Sequence, residues 1–236
     1  MRVRFDILRR ESATAAPYRQ LIDYETDDVN ASVATALTAL NETPDLRDIE
    51  GKPVSRIRWE SSCLQKKCGA CAMRIGGVPR LACDTKLKDL GAVILLEPLR
   101  KFPVVADLIV DRSVLHENLK ALRVWLEQDA AASERTQDAA YEASRCLQCG
   151  CCLEVCPNFD PNGVFVGTAA MAPLSRLIAE LPQEKRQEIY KTYRQRFFEG
   201  CGKSLACRNI CPAGIDVDAL LVNSNAIAVW KRFFRK

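Results

Sequence analysis

The chain has 236 residues, enough for one or two domains, and a formal net charge of only +4. Its 48% hydrophobic and 27% charged residues suit packed cores, and no stretch reaches the roughly 18 apolar residues of a spanning helix, so any membrane role is expected to be peripheral. No basic stripe with interleaved aromatic residues occurs, and nucleic acid is therefore not an expected partner.

The twelve cysteines are the most unusual feature of the composition. The charged residues of the first ten positions interrupt any apolar stretch, so no secretory signal peptide is expected. In a reducing cytosol, cysteines are metal ligands more often than disulfide partners. The cysteines are therefore predicted to bind metal.

Residues 1–102 are predicted to form an α+β domain. Alternating apolar residues predict a strand over Val3–Leu8, which pairs with a second strand over Tyr18–Tyr24. A helix capped by Asp27 or Asp28 follows, and its apolar face comprises Val29, Val33, Leu37 and Leu40. The remaining predicted strands are Ala72–Ile75 and Val78–Ala82, joined by a Gly76-Gly77 hairpin, and Val93–Leu96.

Residues 103–236 are predicted to form an all-α domain, because their apolar pattern is helical. One helix carries Leu115, Leu119, Leu122 and Leu126 on a single face. The others are predicted over Thr168–Leu181 with an interruption at Pro173, over Glu184–Phe198 and over Asp216–Phe234.

The first group of cysteines has the spacing Cys-x4-Cys-x2-Cys-x11-Cys and comprises Cys63, Cys68, Cys71 and Cys83. Its first three members match the plant-type [2Fe–2S] loop, in which backbone N–H groups turn toward the sulfurs. Small residues suit such a loop, and here they are Gly69, Ala70 and Ala72. A four-cysteine zinc site is the alternative, but zinc sites usually pair two Cys-x2-Cys units, which this group lacks.

The second group begins with Cys-x2-Cys-x2-Cys-x3-Cys-Pro, formed by Cys146, Cys149, Cys152, Cys156 and Pro157. In this bacterial ferredoxin spacing the fourth cysteine serves a different cluster from the first three. A second run, with the same spacing, comprises Cys201, Ser204, Cys207, Cys211 and Pro212. A serine thus stands where a symmetric ferredoxin would have its second ligand.

The crossover of fourth cysteines predicts two ligand sets. A [4Fe–4S] cluster is assigned to Cys146, Cys149, Cys152 and Cys211, and a [3Fe–4S] cluster to Cys156, Cys201 and Cys207. Coordination by Ser204 is the less favoured alternative, because a hydroxyl is much harder to deprotonate than a thiol. Cys151 falls between ligand positions and is predicted to be a small buried residue near the cluster.

Nothing else in the chain is predicted to be catalytic. There is no dinucleotide fingerprint or P-loop, and the one histidine, His116, lies on a helical pattern as a surface or packing residue. Three clusters in a row would conduct electrons between a two-electron donor and an acceptor. Acid–base chemistry on a substrate is therefore expected to belong to another subunit.

Over nearly its whole length, the chain resembles the iron–sulfur subunit of succinate dehydrogenase and fumarate reductase. The segments that carry the resemblance are Ser62–Cys63, Cys68–Cys71, Leu81–Cys83, Phe102–Arg112, Cys146–Pro157, Phe165–Gly167 and Cys201–Pro212. The resemblance implies a β-grasp, plant-ferredoxin-like domain followed by an all-α, bacterial-ferredoxin-like domain. It also implies [2Fe–2S], [4Fe–4S] and [3Fe–4S] clusters in that order.

The resemblance further implies two partner subunits. An FAD-containing flavoprotein that interconverts succinate and fumarate faces the [2Fe–2S] end. A cytochrome b membrane anchor, which binds quinone and often haem b, faces the [3Fe–4S] end, so the chain would lie on the cytoplasmic face of the cell membrane. Many ubiquinone-reactive members have a tryptophan and a histidine where this chain has Pro161 and Gly202. The chain therefore looks more like the menaquinone branch, whose anchor carries two haems.

Two other functions remain open at this point. The chain could serve a soluble or thiol-linked flavoprotein reductase, although related thiol-linked subunits usually add Cys-Cys-Gly modules that this sequence does not contain. A zinc-binding scaffold without redox activity is the third hypothesis.

Overall fold

A computed structural model describes residues 1–125, 134–181 and 186–230. The chain divides into two compact units, Met1–Asp111 and Arg112–Lys236. The first unit combines a mixed sheet with a helix, and the described part of the second is helical. The α+β class predicted for the chain is thus confirmed.

The first unit is built on a five-stranded sheet in the order β2-β1-β5-β3-β4. Its strands are β1 Arg2–Arg9, β2 Tyr18–Glu25, β3 Ala72–Ile75, β4 Val78–Leu81 and β5 Val93–Glu97. Strand β1 pairs in parallel with the central β5, and every other pair of neighbours is antiparallel. Alternate residues of β1, namely Val3, Phe5 and Ile7, are buried, as the period of two along a strand requires.

The helix of this unit, α1, covers Val33–Glu42 and begins later than predicted. Its N-cap is Ser32, whose hydroxyl accepts the Thr35 N–H while the Thr35 hydroxyl accepts the Ser32 N–H. This capping box satisfies donors at the helix start, so the predicted caps Asp27 and Asp28 are wrong. Val29 lies outside the helix and is exposed.

The predicted Gly76-Gly77 hairpin is confirmed between β3 and β4. Both glycines have positive φ, at 59° and 81°, the conformation that a tight two-residue hairpin turn requires. The register pairs Ala72 with Leu81, and the Ala82 N–H donates to the Cys71 carbonyl. The hairpin therefore places the residues that precede β3 beside those that follow β4.

A second hairpin, formed by β6 Val104–Ala106 and β7 Ile109–Val110, was not predicted. Its turn residue Asp107 is buried and forms an ion pair with Arg9, with 3.1 Å between Oδ1 and Nε. The same carboxylate accepts the backbone N–H groups of Arg10 and Arg58. These bonds hold the hairpin to the first unit, which extends to Asp111.

The second unit is organised around one central helix. Its helices are α2 Ser113–Ala121, α3 Glu134–Ser144, α4 Cys151–Val155, α5 Thr168–Glu180, α6 Arg186–Tyr193 and α7 Val217–Ala228, and a π-helical turn at Arg194–Phe198 continues α6. The central α5 packs against α2, α3, α4, α6 and α7. It contributes Ala170, Met171, Leu174, Leu177 and Ile178 to the core.

Several predicted helices differ from the observed ones. The α2 helix ends at Ala121, and Leu126 lies outside the described residues, as do positions 184–185 and 231–234 of two other predicted helices. Pro173 does not interrupt α5, which is continuous. Helices α3 and α4 were not predicted. No described helix has the length and apolarity needed to cross a membrane.

The buried ion pair gives a test of the first unit. Asp107→Ala leaves the Arg9 guanidinium buried without its carboxylate, so we expect the unfolding free energy to fall by about 3–5 kcal/mol in urea denaturation. Lys52→Ala, which removes an exposed ion pair with Glu50, is the control and should leave the unfolding midpoint nearly unchanged. Equal effects of the two substitutions would contradict a structural role for Asp107.

Candidate functional site

The first group of cysteines is brought together by the β3–β4 hairpin. Cys71 immediately precedes β3 and Cys83 follows β4 by two residues, so the hairpin register sets their side chains side by side. Cys63 and Cys68, which lie in the preceding loop, form a second thiol–thiol contact. Cys68 is also within electrostatic range of Cys71. The four predicted ligands therefore form two neighbouring pairs.

Backbone N–H groups in this loop point at the sulfurs. The N–H groups of Gln65 and Lys67 each lie 3.3 Å from Cys63 Sγ, and the Lys66 N–H lies 3.4 Å from Cys83 Sγ. Leu64 and Lys66 have positive φ, at 52° and 60°, and this turns successive N–H groups toward one side as an anion-binding nest. The N–H groups of Gln65 and Lys67, together with the Cys68 thiol, lower the pKa of Cys63 to about 7. The loop is thus built to stabilise negative charge on sulfur.

Lys66 is one of the two non-glycine residues of this loop with positive φ. Its left-handed backbone is strained for a residue with a side chain, at a cost of about 1–2 kcal/mol. Its ammonium group, however, forms an ion pair with Asp84, with 2.8 Å between Nζ and Oδ2. Since Asp84 directly follows Cys83, the pair connects the loop to the fourth cysteine. Both side chains are nearly half exposed, so the pair adds little to stability.

Four cysteines of the second unit also converge. Cys152 lies within electrostatic range of the other three predicted members of its set, Cys146, Cys149 and Cys211, and also of Cys207. Burial raises the pKa of Cys146 and of Cys152. Cys151 is completely buried beside Cys149, and its contact with that thiol together with burial raises its pKa.

The remaining predicted ligands, Cys156, Cys201 and Cys207, meet near the start of α5. Cys207 lies within electrostatic range of Cys156 and Cys201, and all three line one cavity of about 390 Å³, including its opening. The hydroxyl of Thr168, in the first turn of α5, hydrogen-bonds the Cys207 sulfur. Ser204 lines the same cavity.

The backbone next to Ser204 is left-handed on both sides. Lys203 and Leu205, on either side of it, both have φ of 55°. Gly202 lies against Asn158, where an added Cβ would be 2.9 Å from Oδ1. A side chain at position 202 would therefore require Asn158 to move.

The donor sets fit iron–sulfur clusters. Each of the three groups of cysteines has a sulfur near an N–H or O–H donor. Hydrogen bonds to sulfur are among the features that tune the potentials of iron–sulfur clusters. In the described ranges, no three His, Cys, Asp or Glu side chains meet the geometry for holding a metal ion. His116 is exposed on α2, and nothing in the described residues assigns it a catalytic role.

Two known domain families match parts of the chain. Residues 4–117 match a family described as a 2Fe-2S iron-sulfur cluster binding domain. Residues 142–215 match a 4Fe-4S dicluster domain. The chain is thus an iron–sulfur protein in which a [2Fe–2S] domain precedes a domain with two further clusters.

Similar proteins identify the family. The chain is 32% identical to the succinate dehydrogenase iron-sulfur subunit of Bacillus subtilis, over 98% of this chain and 96% of that one. It is 30% identical to the fumarate reductase iron-sulfur subunit of Escherichia coli, over 82% and 80%. A chain of the Mycobacterium smegmatis Sdh1 complex in the apo form has the same fold, with a TM-score of 0.76, 20% identity and coverage of 98% and 97%.

The chain belongs to the family of succinate dehydrogenase and fumarate reductase iron–sulfur subunits. The resemblance predicted from the sequence is thereby confirmed, and so is the class of cofactor. Neither the zinc scaffold nor the thiol-linked reductase is favoured by these matches.

Sequence analysis missed the polar side chains that contact the cysteine sulfurs. Gln148, between Cys146 and Cys149, donates to the Cys146 sulfur, and Thr168 does the same for Cys207. The position of Gln148 between two predicted ligands was the one feature of the sequence that could have indicated its contact with a sulfur. Thr168 is distant from Cys207 in sequence and gave none.

Gly167, at the start of α5, gives a test of the second unit. Its φ of 72° and ψ of 178° are essentially restricted to glycine, and an added Cβ would lie 2.2 Å from Leu153 Cδ2 in α4. We expect Gly167→Ala to lower the unfolding free energy of this unit by about 2–5 kcal/mol, from backbone strain and overpacking together.

The matched control for Gly167→Ala is Gly214→Ala. Gly214 has φ of 64°, but its added Cβ would meet nothing closer than 4.0 Å. This variant should cost only the strain, about 1–2 kcal/mol. Urea unfolding followed through the visible absorption of the clusters measures both, and an equal loss in the two variants would refute close packing at Gly167.

Proposed function

We propose that this chain carries electrons between an FAD-containing flavoprotein subunit and a membrane anchor, in a succinate:quinone oxidoreductase or a quinol:fumarate reductase. The observation that supports the proposal is the 32% identity to a succinate dehydrogenase iron-sulfur subunit over 98% of this chain, together with the proposed division of eleven cysteines into sets of four, four and three. Cys151 is the twelfth cysteine and is the one outside these sets.

The first set is proposed to hold a [2Fe–2S] cluster through Cys63, Cys68, Cys71 and Cys83. In a [2Fe–2S] centre each of the two irons takes two protein ligands, so paired thiols suit it. The contacts Cys63–Cys68 and Cys71–Cys83 supply two such pairs. The sheet order β2-β1-β5-β3-β4, with β1 parallel to β5 and one helix, supports a β-grasp, plant-ferredoxin-like fold for this unit.

The second unit is proposed to hold two clusters in a bacterial-ferredoxin-like arrangement. A [4Fe–4S] cluster is assigned to Cys146, Cys149, Cys152 and Cys211. A [3Fe–4S] cluster is assigned to Cys156, Cys201 and Cys207. The proximity of Cys211 to Cys146 and Cys152, across a long stretch of sequence, supports the exchange of fourth cysteines between the two runs.

The residues of this chain act by binding the clusters and stabilising their charge. When bound, such clusters accept and release single electrons over a range of potentials. The N–H groups of Gln65, Lys66 and Lys67 stabilise negative charge on Cys63 and Cys83. The hydroxyl of Thr168 does so for Cys207. Substrate chemistry is assigned to the flavoprotein.

The acceptor side is proposed to lie at the cavity of Cys156, Cys201 and Cys207, facing a cytochrome b anchor, with quinone nearby. The chain would then be peripheral, on the cytoplasmic face of the cell membrane. Pro161 and Gly202, in place of tryptophan and histidine, support the menaquinone-type branch with a dihaem anchor. The contact between Gly202 and Asn158 supports this choice, because a histidine at 202 would displace Asn158.

The function is tested in the complex assembled with its flavoprotein. Succinate should reduce an artificial acceptor through this chain only when the flavoprotein is present, and iron analysis should give about nine irons per chain, from two, four and three. Cys63→Ser should alter only the [2Fe–2S] signal in paramagnetic resonance, since its ligands come from the first unit. Succinate oxidation by the isolated, flavin-free chain would contradict the proposal.

Ser204 gives a test of the three-iron assignment. Ser204→Cys adds a softer and more acidic ligand to the cavity that the three cysteines line. We expect partial or full conversion to [4Fe–4S], with a lower potential and slower transfer to quinone, because the added thiolate favours the oxidised state.

The neighbouring Ala206→Cys is the control for Ser204→Cys. Ala206 is not among the residues that line this cavity, so a thiol there should leave the [3Fe–4S] signal unchanged. Electron paramagnetic resonance during redox titration distinguishes the two variants. An unchanged [3Fe–4S] signal and potential in Ser204→Cys would show that position 204 is not at the open corner of the cluster.

A further inference from the structure

Gln148 adopts an unfavourable backbone conformation next to a proposed cluster. It lies between Cys146 and Cys149 with φ of 50°, in the left-handed region that glycine occupies most readily. For a residue with a side chain, such as glutamine, this conformation is unfavourable. Strain of this kind persists where the surrounding contacts compensate for it, and it is concentrated at functional sites. The side chain of Gln148 is therefore the feature to explain.

The amide nitrogen of Gln148 contacts two acceptors. Its Nε2 lies 3.1 Å from Cys146 Sγ and 2.7 Å from the Ala169 carbonyl oxygen. An amide nitrogen has two hydrogens, one for each acceptor. Rotating the amide would place Oε1 against two acceptors, so the orientation is determined by its partners. In the described structure Oε1 is buried and accepts no hydrogen bond.

The Ala169 carbonyl is available because of Pro173. In an α-helix the carbonyl of residue 169 would accept the N–H of residue 173. Residue 173 is a proline inside α5, which has no N–H, and a proline ring also pushes away the carbonyl four residues before it. Pro173 thus leaves a free acceptor in the first turn of the helix. Gln148 donates to this acceptor, which holds its amide next to the Cys146 sulfur.

The contact between the Gln148 amide and Cys146 affects the negative charge on the Cys146 sulfur. A hydrogen bond to a cysteine ligand stabilises the more negative, reduced form of a cluster and raises its potential.

We propose that Gln148 is a positioning residue that raises the reduction potential of the cluster held by Cys146, Cys149, Cys152 and Cys211, and that Pro173 sets its orientation. The proposal rests on the ligand set given under the proposed function. Gln148 acts through the Cys146 sulfur and through the loop between two ligands. It takes no part in substrate chemistry.

The test uses two methionine variants of adjacent residues in the assembled complex. Gln148→Met keeps the length of the side chain and removes both donors and the unsatisfied Oε1, so we expect the midpoint potential of the [4Fe–4S] cluster to fall. Leu147→Met is the matched control, since it alters the same loop without removing a donor, and it should leave that potential unchanged. The [2Fe–2S] and [3Fe–4S] potentials should stay at their wild-type values in both.

Two further variants separate tuning from folding. Gln148→Gly relieves the left-handed strain and should lower the same potential as Gln148→Met does. Pro173→Ala restores a helix N–H that competes for the Ala169 carbonyl, and we expect a smaller shift in the same direction. An unchanged potential in Pro173→Ala would overturn the role of the proline.

Potentiometric titration followed by paramagnetic resonance decides between the outcomes. An unchanged [4Fe–4S] potential in Gln148→Met and Gln148→Gly would overturn the proposal, as would loss of the cluster in both, which would assign Gln148 a purely structural role. Absence of the [4Fe–4S] signal from the wild-type complex would instead refute the proposed function. The failure of the two proposals is thus distinguishable.

Discussion

Hydrogen-bond donors must reach sulfur atoms inside short loops, and this requirement determines the backbone around the cysteines. Eight described residues other than glycine have positive φ, and five of them lie between cysteines of one group: Leu64, Lys66, Gln148, Lys203 and Leu205. Such conformations are unfavourable for residues with side chains. Their concentration here indicates that the loops are held in shape by what surrounds the sulfurs, through backbone N–H groups in the first unit and a side-chain amide in the second.

The two units position their cysteines by different means. In the first, a β-hairpin with a two-glycine turn sets Cys71 beside Cys83, and the loop before it supplies the other pair. In the second, the start of α5 lies between two sets of cysteines. Thr168 contacts Cys207, and the next residue, Ala169, anchors the Gln148 amide that contacts Cys146. One helical turn therefore contributes to the environment of both sets.

Pro173 illustrates how a residue that is unfavourable locally can serve a distant site. A proline inside a helix removes one backbone hydrogen bond, which weakens the helix. The helix survives because α5 is the core of its unit, packed against five other helices. The carbonyl that loses its partner then accepts a side-chain N–H from the cysteine loop. This bond connects the packing of the helix to the electrostatics of a ligand sulfur.

The sequence by itself determined the chemistry of the chain, because cluster ligands are recognised by short spacings that a local loop must satisfy. It also determined the strands of the five-stranded sheet, the Gly76-Gly77 hairpin and the family. Only the tertiary structure decided the Ser32 cap, the β6–β7 hairpin that Arg9 holds through Asp107, and the contacts of Gln148 with α5. Each of these depends on partners that the spacing of residues along the chain does not specify, either because several caps compete locally or because the partner is distant in sequence.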